Sequence, residues 1–344
     1  MQKNRDVTMA EVAKLSGIST STVSRALANP EKVNKKTLAI VQEAARSLGY
    51  TPNMTARNFR KGKTTTILIV LPEYLQAGIS QVILQLLENI NRCLVQQGYN
   101  LMIANIGSAE LSHKHILDLA FGGAIRGAIM LSPIIPKEGG RSLLQTGFPV
   151  VSAIFDLSEQ GIPSVVTDER DIMKQVTLDF AQRGYRTFFF VSGPDGSYQE
   201  LERYAGVQQG IEAAGLSADL LVKLGGDFGY HEGFLTGESA AELFLTLDVE
   251  KPLVLLSGDD MSLSFMSTLQ RAGKSIPDDV SVVSFDNSPA CEWLRPALSS
   301  IAFPYIEIAE NVVASLLDLL EDKSTSVPAR IMLDNTFHER ESSK

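Results

Sequence analysis

Apolar residues recur at helical spacing between residues 8 and 50, whereas after residue 64 short apolar runs alternate with longer amphipathic stretches. Thr8-Met9-Ala10-Glu11 reads as a capping box, in which the Thr8 hydroxyl caps a helix and Glu11 reaches back to the Thr8 amide. The helix that follows carries Met9, Val12, Ala13 and Leu15 and ends at Ser16-Gly17, where glycine permits a positive φ. Ser19 reads as the N-cap of a second helix, Thr20 to about Ala28, which Asn29-Pro30 stops. A third helix starts near Asn34, presents Leu38, Val41, Ala44, Ala45 and Leu48 on one face, and stops at Gly49.

Farther along, Thr66–Leu71, Asn100–Ala104, Gly127–Leu131, Pro149–Ile154, Thr187–Val191, Leu253–Leu256 and Val280–Ser284 read as strands. Amphipathic stretches over 79–97, 171–183, 199–214 and 261–273 read as helices between them. Alternating strands and helices imply parallel sheets covered on both faces. The body is too long for one such sheet, so two similar α/β halves are expected. Segments 156–164, 287–291 and 322–328 are each rich in Pro, Ser or Gly.

Charge changes this picture. The chain of 344 residues has a net charge of −9, but residues 1–63 hold 12 Lys+Arg against 4 Asp+Glu, a net of +8, which leaves −17 on the remainder. A basic head of this kind meets nucleic acid or an anionic membrane. The start MQKNRDVTMAEV lacks the apolar run of a leader, and no uninterrupted apolar stretch is long enough to span a bilayer. Nucleic acid is therefore the expected partner of the head, with no membrane, and the low cysteine count fits a reducing cytoplasm. At 44% apolar and 21% charged residues the chain is globular rather than disordered. Two cysteines, Cys93 and Cys291, exclude a disulfide framework and zinc-ligand spacing.

No catalytic constellation is visible. GxGxxG and GxSxG motifs are missing. Gly62-Lys63-Thr64 resembles the end of a phosphate-binding loop, but Arg57 stands where its first glycine belongs. His113 and His115 have no acidic or cysteine companion and read as a solvated helix start, and His231 and His338 lack partners. The chain is expected to be neither a metalloprotein nor an enzyme, and to need no cofactor. The rival reading is an α/β binding protein or enzyme with an incidental basic head.

Ala13, Gly17 four residues on and Val23 six further have the spacing of a helix-turn-helix: a small residue at the crossing, a tight turn and a buried anchor. Val7–Ala13, Gly17–Arg25, Val33–Thr37 and Leu48–Asn53 together resemble the LacI/GalR family of bacterial transcription regulators, without a gap over about sixty residues. Arg57–Arg60 and Thr66–Pro72 look closest to its cytidine-regulator branch. The resemblance implies that Thr20, Ser21 and Arg25 read base edges, with Arg25 able to fork onto guanine O6 and N7. It implies that Thr8, Ser19, Thr22, Ser24, Asn34 and Thr37 meet phosphates, or else serve as caps and solvated helix positions. Tyr50, Asn53, Ala56, Arg57, Phe59 and Arg60 complete the expected DNA-facing set. Residues 53–60 resemble the family's hinge helix, too short to be stable alone. Phe59 stands where the family's minor-groove leucine wedge belongs.

The resemblance also implies a division into a helix-turn-helix domain (1–52), a hinge and linker (53–63) and an effector-binding, dimerising body (64–344). In the body, 64–160 with 290–324 would form one periplasmic-binding-protein-like subdomain and 161–289 with 325–344 the other. The resemblance implies three crossovers between the halves, which are expected at 156–164, 287–291 and 322–328. A small effector, a sugar, sugar derivative or nucleoside, would sit between them. Arg203 matches the family's effector-binding arginine, Asp286 its strand-end carboxylate, and Phe228 an aromatic that stacks on a ring. Glu73, Tyr74, Asp259, Trp293 and Tyr305 are further cleft candidates, although Asp259 and Asp286 could instead cap the following turns and Trp293 could be core. The first cleft helix has Gly78 and Ile79 where the family often places aromatics, so the effector's identity does not carry over. The implied function is a homodimeric repressor on a palindromic operator.

Overall fold

The structure, a computed structural model, describes residues 7–28, 30–50, 64–73, 81–193, 197–225, 233–323 and 326–344. The chain divides into two units, Met1–Thr64 and Thr65–Lys344.

In the first unit, α1 (Met9–Ser16), α2 (Thr20–Ala28) and α3 (Lys35–Leu48) enclose a core of Val12, Val23, Ala26, Val41, Ala44 and Ala45. The capping box forms: the Thr8 amide donates to the Glu11 carboxylate at 2.8 Å, and the Glu11 amide donates to Thr8 Oγ1 at 3.4 Å. Gly17 takes φ 67°, a conformation that penalises any residue with a Cβ, and so lets α2 turn back across α1. Ser19 caps α2, accepting the Thr22 amide on its hydroxyl at 3.4 Å and the Val23 amide on its carbonyl at 2.9 Å. Asn34 caps α3 by accepting the Lys36 amide at 2.9 Å. All three helices lie where the sequence places them. The hinge segment 53–60 lies outside the described residues.

The second unit begins with β1 (Thr66–Pro72), α4 (Gln81–Gln96), β2 (Asn100–Ile106), α5 (Glu110–Phe121) and β3 (Gly127–Met130). A hairpin of β4 (Lys137–Glu138) and β5 (Arg141–Ser142) precedes β6 (Val150–Ala153) and β7 (Ser164–Thr167). The chain then builds a second half from α6 (Glu169–Gln182), β8 (Phe188–Ser192), α7 (Tyr198–Ala213), β9 (Leu221–Gly225) and α8 (Gly233–Phe244). That half continues with β10 (Leu253–Leu256), α9 (Asp259–Arg271), β11 (Ser281–Asp286), α10 (Ala290–Trp293) and β12 (Ser299–Ala302). It returns through α11 (Tyr305–Leu320) and β13 (Arg330–Leu333) and finishes with β14 (Thr336–His338).

The first sheet runs β13-β7-β6-β3-β1-β2, all parallel, and the second runs β14-β12-β11-β10-β8-β9, parallel except for the antiparallel β12–β14 pair. Helices cover the faces, as continuous apolar strands such as Phe188–Val191 and Leu253–Leu256 require. The two-sheet body is therefore as the sequence implies, but its crossovers are not. The chain leaves the first sheet after Thr167, re-enters through Phe303-Pro304, and crosses last at Asp334-Asn335. The expected crossovers at 156–164, 287–291 and 322–328 are thus displaced toward the C-terminus, and the subdomain boundaries with them. Each of those loops is followed by one more short strand, Ser164–Thr167, Ser299–Ala302 or Arg330–Leu333, which completes the old sheet before the chain departs.

One close approach positions the cleft. A Cβ at Gly206 of α7 would stand 2.4 Å from the Arg170 carbonyl oxygen and 2.7 Å from Met173 Cβ, both on α6. Only glycine lets the two helix backbones touch there, and that contact sets Arg203, one turn earlier on α7, against Glu169 at the start of α6. Overpacking a site of this kind costs about 1–3 kcal/mol. Gly206→Ala should therefore lower the melting temperature of the body's transition in the full chain, measured by calorimetry, and leave the head's helices unchanged.

Candidate DNA interface and ligand cleft

On α2 the side chains of Thr20, Ser21 and Arg25 are exposed together, while Val23 and Ala26 turn into the core. Exposed Thr8 and Ser19 and half-buried Thr22 and Ser24 flank them. Ser19 Oγ bonds to Ser21 Oγ at 3.1 Å and donates to Thr22 Oγ1 at 2.9 Å, so these hydroxyls are held as a group. Asn34 is exposed but spends its amide oxygen on the α3 cap, and Thr37 is half-buried. Tyr50 packs on the head's core, a supporting contact that the sequence reading does not distinguish from DNA contact. Asn53, Ala56, Arg57, Phe59 and Arg60 lie outside the described residues, as do Tyr74 and Phe228.

In the body, the carboxyl ends of parallel strands bring the other candidates together, the place where open α/β sheets bind ligands. Arg203 is 6% exposed. Its Nε donates to Glu169 Oε2 at 2.6 Å, its Nη1 donates to the Ser257 carbonyl after β10, and its guanidinium lies 3.8 Å from the Phe285 ring centroid. Nη2 has no partner among the described residues. Burial works against the Arg203 charge, but Glu169, Glu200 and Asp286 outweigh it and raise the pKa further. Burial likewise pushes Glu169 above the usual carboxylate range, against the pull of Arg203.

Asp286 ends β11, half-buried, with φ 106°, and Asn287 follows at φ 51°. Two consecutive left-handed residues with side chains are strained backbone, which persists only where neighbours hold it. Here they do: the Asn287 amide donates to Ser300 Oγ at 3.0 Å, Arg340 Nη2 donates to Asn287 Oδ1 at 2.8 Å, and Tyr305 Oη donates to the Asp286 carbonyl at 2.9 Å. The Asp286 carboxylate itself has no hydrogen-bond partner among the described residues and makes no direct ion pair with Arg203. Burial, then the charge of Asp259, holds it well above the ordinary carboxylate range.

Asp259 plays a different part from the one expected of a ligand acceptor. It is buried, and it accepts the Ser288 amide at 2.5 Å, the Cys291 thiol at 3.1 Å and the Ser300 hydroxyl at 2.9 Å. Its carboxylate is consumed in holding the turn that carries Asp286. Burial, together with Asp259, pushes the Cys291 thiol up to about 12. Trp293 is 80% exposed, so it is not core. It borders a recess of about 320 Å³ with Gln81, Gln85, Asn287, Phe303 and Tyr305, which draws on both halves and a crossover. Glu73 follows β1 and stands against Gly107. Across the halves, Gln199 Nε2 of α7 donates to the Ile154 carbonyl at 3.4 Å.

Sequence reasoning missed Glu169, Glu200, Phe285 and Phe303. Glu200 is buried and accepts from Ser192 Oγ, the Gly193 amide and Ser257 Oγ at 3.1, 3.0 and 2.6 Å. For Glu169 and Glu200 the available signal was a carboxylate in the first turn of a helix. His113 is braced rather than solvated: the Lys137 amide donates to its Nδ1 at 3.1 Å, which leaves Nε2 to donate to the Gly107 carbonyl at 2.9 Å. Among the described residues no helix is long and apolar enough to cross a membrane.

A helix-turn-helix head followed by a two-sheet body with a strand-end cleft defines a class of bacterial DNA-binding regulators. The family model for bacterial regulatory proteins of the lacI family matches residues 8–53, and that for a periplasmic binding protein-like domain matches residues 178–343. The chain is 28% identical to the HTH-type transcriptional repressor CytR of Escherichia coli (strain K12), over 94% of this chain and 93% of that one. It is also 28% identical to catabolite control protein A of Priestia megaterium, over 98% and 100%. Among solved structures, the lac repressor dimer bound to operator and the anti-inducer ONPF matches with a TM-score of 0.80 at 20% identity, covering 98% of this chain and 99% of that one. A transcriptional regulator CelR–cellobiose complex matches at 0.67 and 24%, covering 98% and 100%. The protein belongs to the lacI family of bacterial regulatory proteins, and is a DNA-binding transcriptional regulator rather than an enzyme. Equal identity to CytR and to catabolite control protein A does not choose a branch of that family.

The Asp259 bonds make a direct test of its structural part. Asp259→Ala abandons three buried donors, at about 1–3 kcal/mol for each one left unsatisfied. The body should melt lower, and a thiol reagent that spares Cys291 in the native protein should modify it in the variant.

Proposed function

We propose that the protein is a homodimeric, effector-controlled transcriptional repressor that acts in the cytoplasm on a palindromic operator. The observation that carries this reading is the exposed Thr20–Ser21–Arg25 face of α2 on a head of net charge +8. Arg25 forks onto a guanine in the major groove, and Thr20 and Ser21 meet neighbouring base edges. Thr8, Ser19, Thr22, Ser24, Asn34 and Thr37 fix the head on phosphates, with Tyr50 supporting it from the core. Residues 53–63 act as hinge and linker. Asn53, Ala56, Arg57 and Arg60 follow the backbone, and Phe59 is the minor-groove wedge.

Two heads on one twofold site explain a palindrome. The names of CytR and the lac repressor support repression as the outcome, and the lac repressor's dimer and operator support the assembly. The effector occupies the strand-end cleft between Arg203, Asp286 and Tyr305, with Glu73 and Trp293 as further contacts, and Tyr74 and Phe228 complete the residues that we expect to meet it. It shifts the balance between two closures of the halves, and the hinge segments pair in only one of them, which makes regulation a coupling free energy between cleft and operator.

Operator sequences selected from random DNA with the wild-type chain provide the assay. Arg25→Ala should weaken binding by about 1–3 kcal/mol and relax choice at one base pair. Phe59→Ala should weaken it while the body melts unchanged, and undiminished operator affinity would remove the wedge. A monomer in sedimentation, with and without operator, would sink the dimer.

A further inference from the structure

A buried polar atom without a partner weakens the state that contains it, because the hydrogen bonds it made to water are not replaced. Among the described residues four such side-chain atoms occur: Thr167 Oγ1, Asn335 Nδ2 and Oδ1, and Thr177 Oγ1 within α6. Three of the four lie where the chain passes between the halves of the body. Thr167 is the last residue of β7 and 8% exposed, and Asn335 belongs to the last crossover and is 9% exposed. Leu333 stands opposite Thr167 in the β13–β7 pair, and the Asp168 amide donates to the Leu333 carbonyl at 3.2 Å. The first and last crossovers thus leave the first sheet side by side. The halves also meet through a strained residue. Ile154, directly after β6, takes φ 62°, which a β-branched side chain rarely tolerates, and its carbonyl is the one that accepts Gln199 Nε2 of α7. This arrangement of the halves carries unmade hydrogen bonds at its hinge and backbone strain at its contact.

We propose that Thr167 and Asn335 set the balance between two closures of the halves: they find hydrogen-bond partners in the alternative closure and lack them in this one. The inference rests on the two-closure reading under Proposed function and deepens it by naming residues that hold the bias. A rotation between halves is absorbed by a few residues at the ends of elements. Thr167 and Asn335 occupy such positions in two of the three crossovers, so their partners change when the crossovers bend. Asn335 offers two donor hydrogens and an acceptor oxygen, and Thr167 offers one donor and acceptor lone pairs, which backbone groups of a repositioned crossover can meet. In this closure the penalty for leaving them unmade is opposed by contacts between the halves, the Gln199–Ile154 bond among them. Hinge and contact therefore pull in opposite directions.

The test uses the full chain with apolar replacements of matching shape. Val copies Thr and Leu copies the branching of Asn, so Thr167→Val and Asn335→Leu remove what this closure leaves unsatisfied and what the alternative closure pairs. The double variant should melt about 2 °C or more above the wild type by calorimetry. Its affinity for operator sequences selected with the wild type should change about 3-fold or more. Gln199→Ala loosens this closure and should change that affinity in the opposite direction, whereas Thr167→Ser, which keeps the hydroxyl, should match the wild type. The head is a separate unit, so a purely structural role at the hinge would move melting and leave operator affinity alone. A Thr167→Val chain that melts below the wild type overturns the proposal, and so does operator affinity that the apolar variants leave unmoved. Crystals in which ordered water bonds Thr167 Oγ1 and the Asn335 amide, with and without operator, overturn it as well. Thr167→Val carries the test alone should Asn335→Leu misfold. A wild-type chain that selects no operator would sink the operator reading, while the melting shifts and the crystals would still decide the hinge.

Discussion

A guanidinium that cannot shed its proton, taken almost wholly out of water, dictates the layout of the body's centre. Arg203 keeps its charge under any physiological condition, so its burial must be answered by a carboxylate, a carbonyl and aromatic faces in fixed places. Those answers come from separate parts of the chain: Glu169 from the start of α6, Ser257 from the turn after β10, Phe285 from β11 and Phe303 from a crossover. Displacing any of these elements leaves a buried charge uncompensated. The contact between α6 and α7 at Gly206, the end of the second sheet and one crossover are therefore tied to the same group that faces the cleft. Ligand recognition and the packing of the second half are hard to separate for that reason.

The turn after β11 shows a related economy. Asp286 lies outside the regions an aspartate favours and Asn287 takes the left-handed conformation that asparagine tolerates, and their surroundings are the buried bonds of Asp259, Ser300 and Arg340. One carboxylate is sacrificed to structure so that the next strand-end carboxylate can remain unsatisfied. The sequence Asp259 and Asp286, read alone, gives the two equal standing. Only their partners distinguish a brace from an open acceptor.

Legibility in the sequence followed the range of the signal. The head was legible almost to the residue, since caps, turn glycines and a 3.6-residue repeat are local and each has one dominant physical meaning. The central strands were legible because buried parallel strands are continuous apolar runs. The edges were not. Ser164–Thr167, Ser299–Ala302 and Arg330–Leu333 are short, and two of them open on serine, so nothing in their composition says which sheet they join; that depends on pairing across more than a hundred residues in the case of Leu333 with Thr167. For the cleft, the resemblance singled out Arg203 and Asp286, and Tyr305 was a candidate for its place near the last crossover. The partner Glu169 was not, because an acid at a helix start has a sufficient local explanation in the helix dipole.

The placement of the edge strands has a consequence for how the protein is made. The first sheet takes β13 as an edge and the second takes β14, both from residues 330–338. Beyond them Ser342 is buried, donating its amide to the Ala297 carbonyl and accepting the Val282 amide at 2.8 Å each. On a ribosome, where domains fold as units in the order they emerge, the head's core is complete once Tyr50 has cleared the exit tunnel. Neither half of the body can close its sheet until nearly three hundred further residues have been added. A nascent chain thus carries a finished DNA-reading fold long before the apparatus that governs it exists, and premature termination would release a reader with no regulator attached.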